Sequence, residues 1–248
     1  MSRDTPRLRL VAQPQGAGEA NGAMVIVPGR GVPRTACDWL AEGAVAAGWS
    51  SSVVDGLYSG AIDDRGGPAA YAAVAELVAE AMPARHGRLV TAGHSTGARV
   101  ALHLATRFDL SGVAALCGIA NFADHVNRAR NYLPDYVAAV TADLGDPVDQ
   151  PAPYRERSPV TWIDRIRCPL LLVAAAEDRV CPPYQTQLLV TACLAANVRI
   201  EAATIPGAGH FFETQAATGT ARPAVLSLLT AWLRGLASTG KSGSATSA

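Results

Sequence analysis

Gly93-His94-Ser95-Thr96-Gly97 forms a G-x-S-x-G pentapeptide, the pattern that presents a serine for nucleophilic attack at a sharp strand-to-helix turn. Its setting fits that reading. Apolar Leu89-Val90-Thr91-Ala92 precedes it, and Ala98-Arg99-Val100-Ala101-Leu102 opens a helical stretch behind it. The glycines two positions either side of Ser95 have a steric reason, since side chains there would collide with neighbouring backbone if the serine sits in a strained turn. A hydroxyl at a helix amino terminus also meets free N–H groups and the positive end of the dipole, which favour developing negative charge. The plain structural alternative for Ser95 is a helix N-cap.

A serine hydroxyl needs a base, and the base needs a carboxylate to hold its tautomer. The chain supplies both in the order Ser, acid, His that strand-turn-helix elbows use. Leu170-Leu171-Leu172-Val173 is a buried strand, and Ala176-Glu177-Asp178-Arg179 follows its carboxyl end. Asp178 is the expected acid, with Glu177 as a nearby competitor or a solvated loop charge. The next strand runs into Ile205-Pro206-Gly207-Ala208-Gly209-His210-Phe211-Phe212, which places His210 in a flexible loop able to swing toward Ser95 as the base. His86 reads as a turn residue, His103 as helix interior, His125 as part of an insertion and His94 as packed support. For the oxyanion, the Thr96 N–H is one donor and the Arg30 N–H in Pro28-Gly29-Arg30-Gly31 is the second. The Arg30 side chain has two open readings, a substrate-carboxylate ligand or a surface charge.

The elements that must position these groups alternate regularly. An edge strand is expected near 8–13, then strands at 24–27, 52–54, 88–92, 112–117, 169–174 and 198–204. Helices are expected from a Thr35 cap to Ala47, from Pro68 past Val78, and over 97–107, 184–195 and 222–235. Short apolar strands separated by helices predict a doubly wound, mostly parallel α/β sheet covered on both faces. One stretch breaks the rhythm. Asn121 to Tyr154 is too long for a crossover, rich in charged and aromatic residues, and holds a helix at 135–144; it is expected to be a small helical cap inserted into a single domain spanning 1–237, with an ordinary surface excursion as the alternative. Phe122, Tyr132, Leu133 and Tyr136 of this cap either line an acyl pocket or form the cap's own core. Residues 238–248 are Gly/Ser/Thr/Ala-rich and expected to be a disordered tail.

Composition narrows the partners. The chain has 248 residues, zero formal net charge and 49% hydrophobic residues, so no global field attracts nucleic acid or an anionic membrane, and a small-molecule acyl substrate is the better expectation. Lys241 is the only lysine. No run is long and apolar enough for a signal peptide or a membrane span, which points to a cytoplasmic protein; a homo-oligomer stays open. The five cysteines lack C-x-x-C spacing, which argues against a disulfide framework and a zinc site.

Together the Ser95 pentapeptide, the Asp178 loop and the His210 loop resemble the α/β-hydrolase superfamily over nearly the whole chain. The stretch from Tyr154-Arg155-Glu156-Arg157-Ser158-Pro159-Val160 through Cys168-Pro169-Leu170-Leu171-Leu172-Val173 to Pro182-Pro183 is similar, more narrowly, to prolyl-oligopeptidase-like and dienelactone-hydrolase-like catalytic domains. The resemblance implies cofactor-free hydrolysis of an ester, amide or thioester. Pro28-Gly29 stands where such proteins usually carry His-Gly, and no propeller is read ahead of the domain. The expectation is therefore a stand-alone carboxylesterase-like serine hydrolase acting on small acyl esters. A thioesterase, acyltransferase or peptidase using the same triad is the alternative, with a non-catalytic binding protein as a reading from another class.

Overall fold

The computed structural model describes residues 6–14, 20–58, 63–81, 88–214 and 219–239. Seven strands form one sheet: β1 (Arg7–Ala12), β2 (Ala23–Val27), β3 (Ser50–Asp55), β4 (Leu89–His94), β5 (Gly112–Leu116), β6 (Leu170–Ala175) and β7 (Ile200–Ile205). Their spatial order is β1-β3-β2-β4-β5-β6-β7. Only the β1–β3 pairing at the edge is antiparallel; the other neighbours run parallel. The helices are α1 (Trp39–Ala46), α2 (Pro68–Ala81), α3 (Thr96–Leu104), α4 (Phe122–Ala129), α5 (Pro134–Leu144), α6 (Pro151–Glu156), α7 (Tyr184–Ala195) and α8 (Arg222–Thr239).

β2, β4, β5 and β6 are buried along their whole length, which is why they read as continuous apolar runs. Successive side chains still go to opposite faces. Val25, Val27, Val113, Ala115, Leu170 and Leu172 meet Tyr71 and Val74 of α2, α3, and Leu189 and Cys193 of α7. Met24, Ile26, Ala114, Leu116, Leu171 and Val173 meet Leu40 and Ala44 of α1 and Val225, Leu229 and Trp232 of α8. Two cores thus clamp the sheet, and its carboxyl edge is left to loops.

The chain steps from β2 outward to β3, then returns to the other side of β2 as β4 and proceeds through β5, β6 and β7. The reversal opens a crevice at the carboxyl ends of β2 and β4, the place where open α/β sheets bind ligands. The cap follows β5. It has its own core of Phe122, Val126, Ala129, Val137, Val140 and Tyr154, joined by Ile119 and Cys181. Asn121 caps α4 by accepting the Asp124 N–H at 3.1 Å, and the Tyr154 hydroxyl donates to the Gly145 carbonyl at 2.7 Å.

Several expected boundaries move by a few residues. Thr35 caps no α-helix, because residues 34–37 form a 3₁₀ turn and α1 starts after Asp38. β7 starts at Ile200, since Asn197 is left-handed (φ 58) and the Val198 N–H closes back on the Cys193 carbonyl. The last helix continues past the expected Gly235 to Thr239, with Leu236 and Ala237 packed on the core. His86 and the rest of the expected tail lie outside the described residues. No helix among the described residues is long and apolar enough to cross a membrane.

His103 of α3 stacks on Tyr71 with ring centroids 3.9 Å apart and meets the edge of Trp162. It, His94 and His125 have pKa values lowered from 6.5 to about 4, burial being the largest cause for each. A folded-state pKa below the unfolded one means that the unfolded chain takes up the proton first. The contribution is therefore complete above 6.5 and is lost as pH falls toward 4. His103→Gln should accordingly be less stable than the parent at pH 7, with the gap in urea midpoint narrowing as pH is lowered from 6.5 to 4. Parallel midpoint curves for the two proteins would contradict this.

Candidate active site

Ser95 sits between β4 and α3 with φ 57 and ψ −124, a conformation a side-chain-bearing residue holds only when its surroundings enforce it. Both flanking glycines are forced by close approach. A Cβ on Gly93 would stand 2.2 Å from the Gly97 carbonyl oxygen, and one on Gly97 would stand 2.1 Å from the Val27 carbonyl oxygen. The first turn of α3 is thus pressed onto the end of β2. The Ser95 N–H is held by the Leu116 carbonyl at 2.9 Å.

Asp178 and His210 come from the loops after β6 and β7. His210 Nδ1 lies 2.7 Å from Asp178 Oδ2, and the Asp178 side chain is fully shielded from solvent. Its other oxygen, Oδ1, accepts the Val180 and Cys181 N–H groups, each at 2.8 Å. A buried carboxylate is tolerable because both oxygens are satisfied. Burial, followed by the Asp178 charge, pushes the Cys117 thiol well above its ordinary range. Glu177 is exposed, and its N–H ties the acid loop to the Ala208 carbonyl at 2.9 Å. The histidine loop is braced again from the elbow: His94 Nε2 lies 2.7 Å from the His210 carbonyl. With its pKa near 4, His94 is neutral at pH 7, so Nε2 carries the hydrogen and donates.

Among the described residues, Ser95 Oγ makes no hydrogen bond to His210. It lies 3.9 Å from Cys181 Sγ instead, so the serine faces the cap side of the site. His94, Cys117 and His210 bring three potential metal-ligand atoms within 4.8 Å of one another. Two of these residues already spend ring nitrogens on Asp178 and on the His210 carbonyl.

A cavity of about 190 Å³ opens beside Ser95, lined by Arg30, Thr96, Arg99, Phe122, His125 and Tyr136 among others. Of the residues expected to bind substrate, Arg30, Phe122 and Tyr136 border this cavity. Tyr132 does not: it is 42% exposed, and its neighbour Leu133, which precedes α5, points in instead. Phe122 serves both readings, since it belongs to the cap core and also faces the cavity. Arg30 is engaged by Asp63 through two bonds of 2.6 and 2.8 Å. Sequence reasoning missed Arg65, Arg99 and His125. Arg99 had a signal, since it lies one helical turn beyond Ser95 and so on the same face of α3. A wider recess of about 690 Å³ lies along the acid and histidine loops but does not border Ser95.

Comparison with known proteins shows the family and the fold. A model of the prolyl oligopeptidase family matches residues 68–238, more than half of the chain. Similar solved structures include a puromycin-hydrolyzing peptidase of Mycobacterium tuberculosis, with TM-score 0.69, 22% identity, and coverage of 94% of this chain and 39% of that one. An acylaminoacyl peptidase of Pyrococcus horikoshii gives TM-score 0.69, 16% identity, and 92% and 40% coverage. A truncated carbohydrate esterase from gut microbiota gives 0.67, 15%, and 91% and 89%. The chain spans about two fifths of the length of those two peptidases. No curated protein sequence matched. The match over more than half of the chain shows that it belongs to the prolyl oligopeptidase family.

Proposed function

We infer that the protein cleaves small acyl esters by two-step acyl transfer, with Ser95 as nucleophile, His210 as general base and Asp178 as the carboxylate that orients it. The observation that carries this reading is the buried 2.7 Å Asp178–His210 pair beside a serine held at φ 57. With the His210 Nδ1 hydrogen given to Asp178, Nε2 keeps its lone pair for the serine proton. Rotation of Ser95 about χ1 exchanges its Cys181 contact for His210 as the carbonyl is attacked; such catalytic hydrogen bonds commonly tighten only once substrate is bound. The oxyanion then forms beside the amides of Thr96, at the start of α3, and Arg30, in the loop after β2. Protonated His210 releases the leaving group, and water activated by the same histidine clears the acyl-enzyme.

The cavity supports a small acyl group. Its volume of about 190 Å³ is below the about 300–1,000 Å³ of sites that enclose drug-sized ligands. Amide or peptide cleavage is the second reading, favoured by the family match and by the peptidase relatives. A p-nitrophenyl ester compared with the matched p-nitroanilide separates the two.

Ser95→Ala should lose turnover of short p-nitrophenyl esters while keeping the parent's thermal midpoint within a few degrees, because among the described residues its side chain has no hydrogen-bond contact beyond Cys181. Retention of more than a tenth of wild-type kcat would exclude Ser95 as nucleophile. Asp178→Asn should lower kcat by about 10³–10⁴-fold, since an amide there selects the wrong histidine tautomer. A loss of less than tenfold would exclude Asp178 from that role.

A further inference from the structure

Three arginines line the cavity beside Ser95: Arg30, Arg65 and Arg99. Two have carboxylate partners. Arg30 is paired with Asp63 at 2.6 Å, and Arg65 Nε is 2.7 Å from Asp143 Oδ2. Arg99 differs: it is 2% exposed, and among the described residues it meets no carboxylate. Its Nε donates to the Gly66 carbonyl at 3.1 Å and one terminal nitrogen to the Arg65 carbonyl. The guanidinium carbon lies 4.6 Å over the Phe122 ring. The remaining nitrogen, Nη1, is buried and has no hydrogen-bond partner among the described residues.

A guanidinium is always charged, and a buried charge without a counter-charge or a full set of acceptors is costly. Next to it, buried His125 leaves Nδ1 without a partner while the edge of its ring meets Tyr136. Arg99 and His125, each with a buried nitrogen that lacks a partner among the described residues, therefore line one small cavity together with two arginines whose charges are met by Asp63 and Asp143. Arg99 follows Ser95 by one turn of α3, so an acyl carbon at Ser95 and an anion at Arg99 are separated by only a short chain.

We propose that the acyl group cleaved here carries a carboxylate of its own, held by Arg99 Nη1 with His125 Nδ1 as a second ligand. The substrate class is thus the half-ester of a short dicarboxylic acid. This rests on Ser95 being the acyl acceptor and names the acyl group it accepts. The carboxylate supplies the missing acceptor for Nη1 and the counter-charge that Arg99 lacks, in a site where charge-assisted hydrogen bonds are strong. Arg99 and His125 are specificity-determining residues in this account and take no part in bond making.

The test compares mono-p-nitrophenyl glutarate with its methyl ester, which keeps the chain and removes the charge. Wild type should favour the free acid in kcat/KM by about tenfold or more, the scale of one hydrogen bond to a charged group. Arg99→Met should collapse that ratio toward one, and His125→Phe should reduce it. Because the readout is a ratio, a general loss of activity does not mimic it. Equal or better turnover of the methyl ester by wild type overturns the proposal and leaves the acyl-transfer reading intact. Turnover of neither ester overturns the acyl-transfer reading. In that event the anion site is read directly: glutarate should raise the thermal midpoint of Ser95→Ala and leave that of Ser95→Ala/Arg99→Met unchanged, and absence of a shift in the first overturns the site as well.

Discussion

The contact on which the site depends is the approach of α3 to the end of β2. Gly97 faces the Val27 carbonyl at a distance no side chain could share, and this pins the first helical turn against the sheet. Ser95 has then no relaxed conformation to adopt and is held at positive φ. The strain is offset by the burial of β2, β4 and β5 between two apolar layers. Strand order does the rest. β5 and β6 follow β4 outward to β7, so loops carrying Asp178 and His210 stand on one side of the serine. The loop after β2 stands on the other, with Gly29 near the serine Cβ.

The acid and histidine loops stabilise one another. The Ala176 and Glu177 N–H groups bond the carbonyls of Ile205 and Ala208, which fixes the separation of the two loops before any side chain is considered. Asp178 can then be buried as an anion because Val180, Cys181 and His210 surround it with donors. His94 adds the last brace by donating to the His210 backbone. The pentapeptide histidine is therefore a neutral strut tying the elbow to the histidine loop.

What was legible in the sequence follows the range of the interactions involved. Ser95, Asp178 and His210 each stand just past an apolar strand, and the alternation of strands and helices was visible locally. The mostly parallel sheet and the inserted cap followed from that rhythm. What failed was set by tertiary packing or by single-residue turns. Tyr132 turns away from the cavity while Leu133, named with it, faces it, because adjacent residues ahead of a helix project to different sides. β7 started late because Asn197 and Val198 are used in leaving α7. Arg65 and His125 had no local signal, since their places depend on how loop 63–67 and the cap settle over α3. The alternative contact of Ser95 with Cys181 is likewise a matter of one rotamer, on which residue type is silent.

The most direct test of the central claim is a crystal structure of the protein after reaction with a small alkyl fluorophosphonate. The account predicts one covalent adduct, on Ser95 Oγ, with the phosphonyl oxygen facing the Thr96 and Arg30 N–H groups and His210 Nε2 within hydrogen-bond distance of the ester oxygen. An adduct on another residue, or a phosphonyl oxygen turned away from both amides, would contradict it.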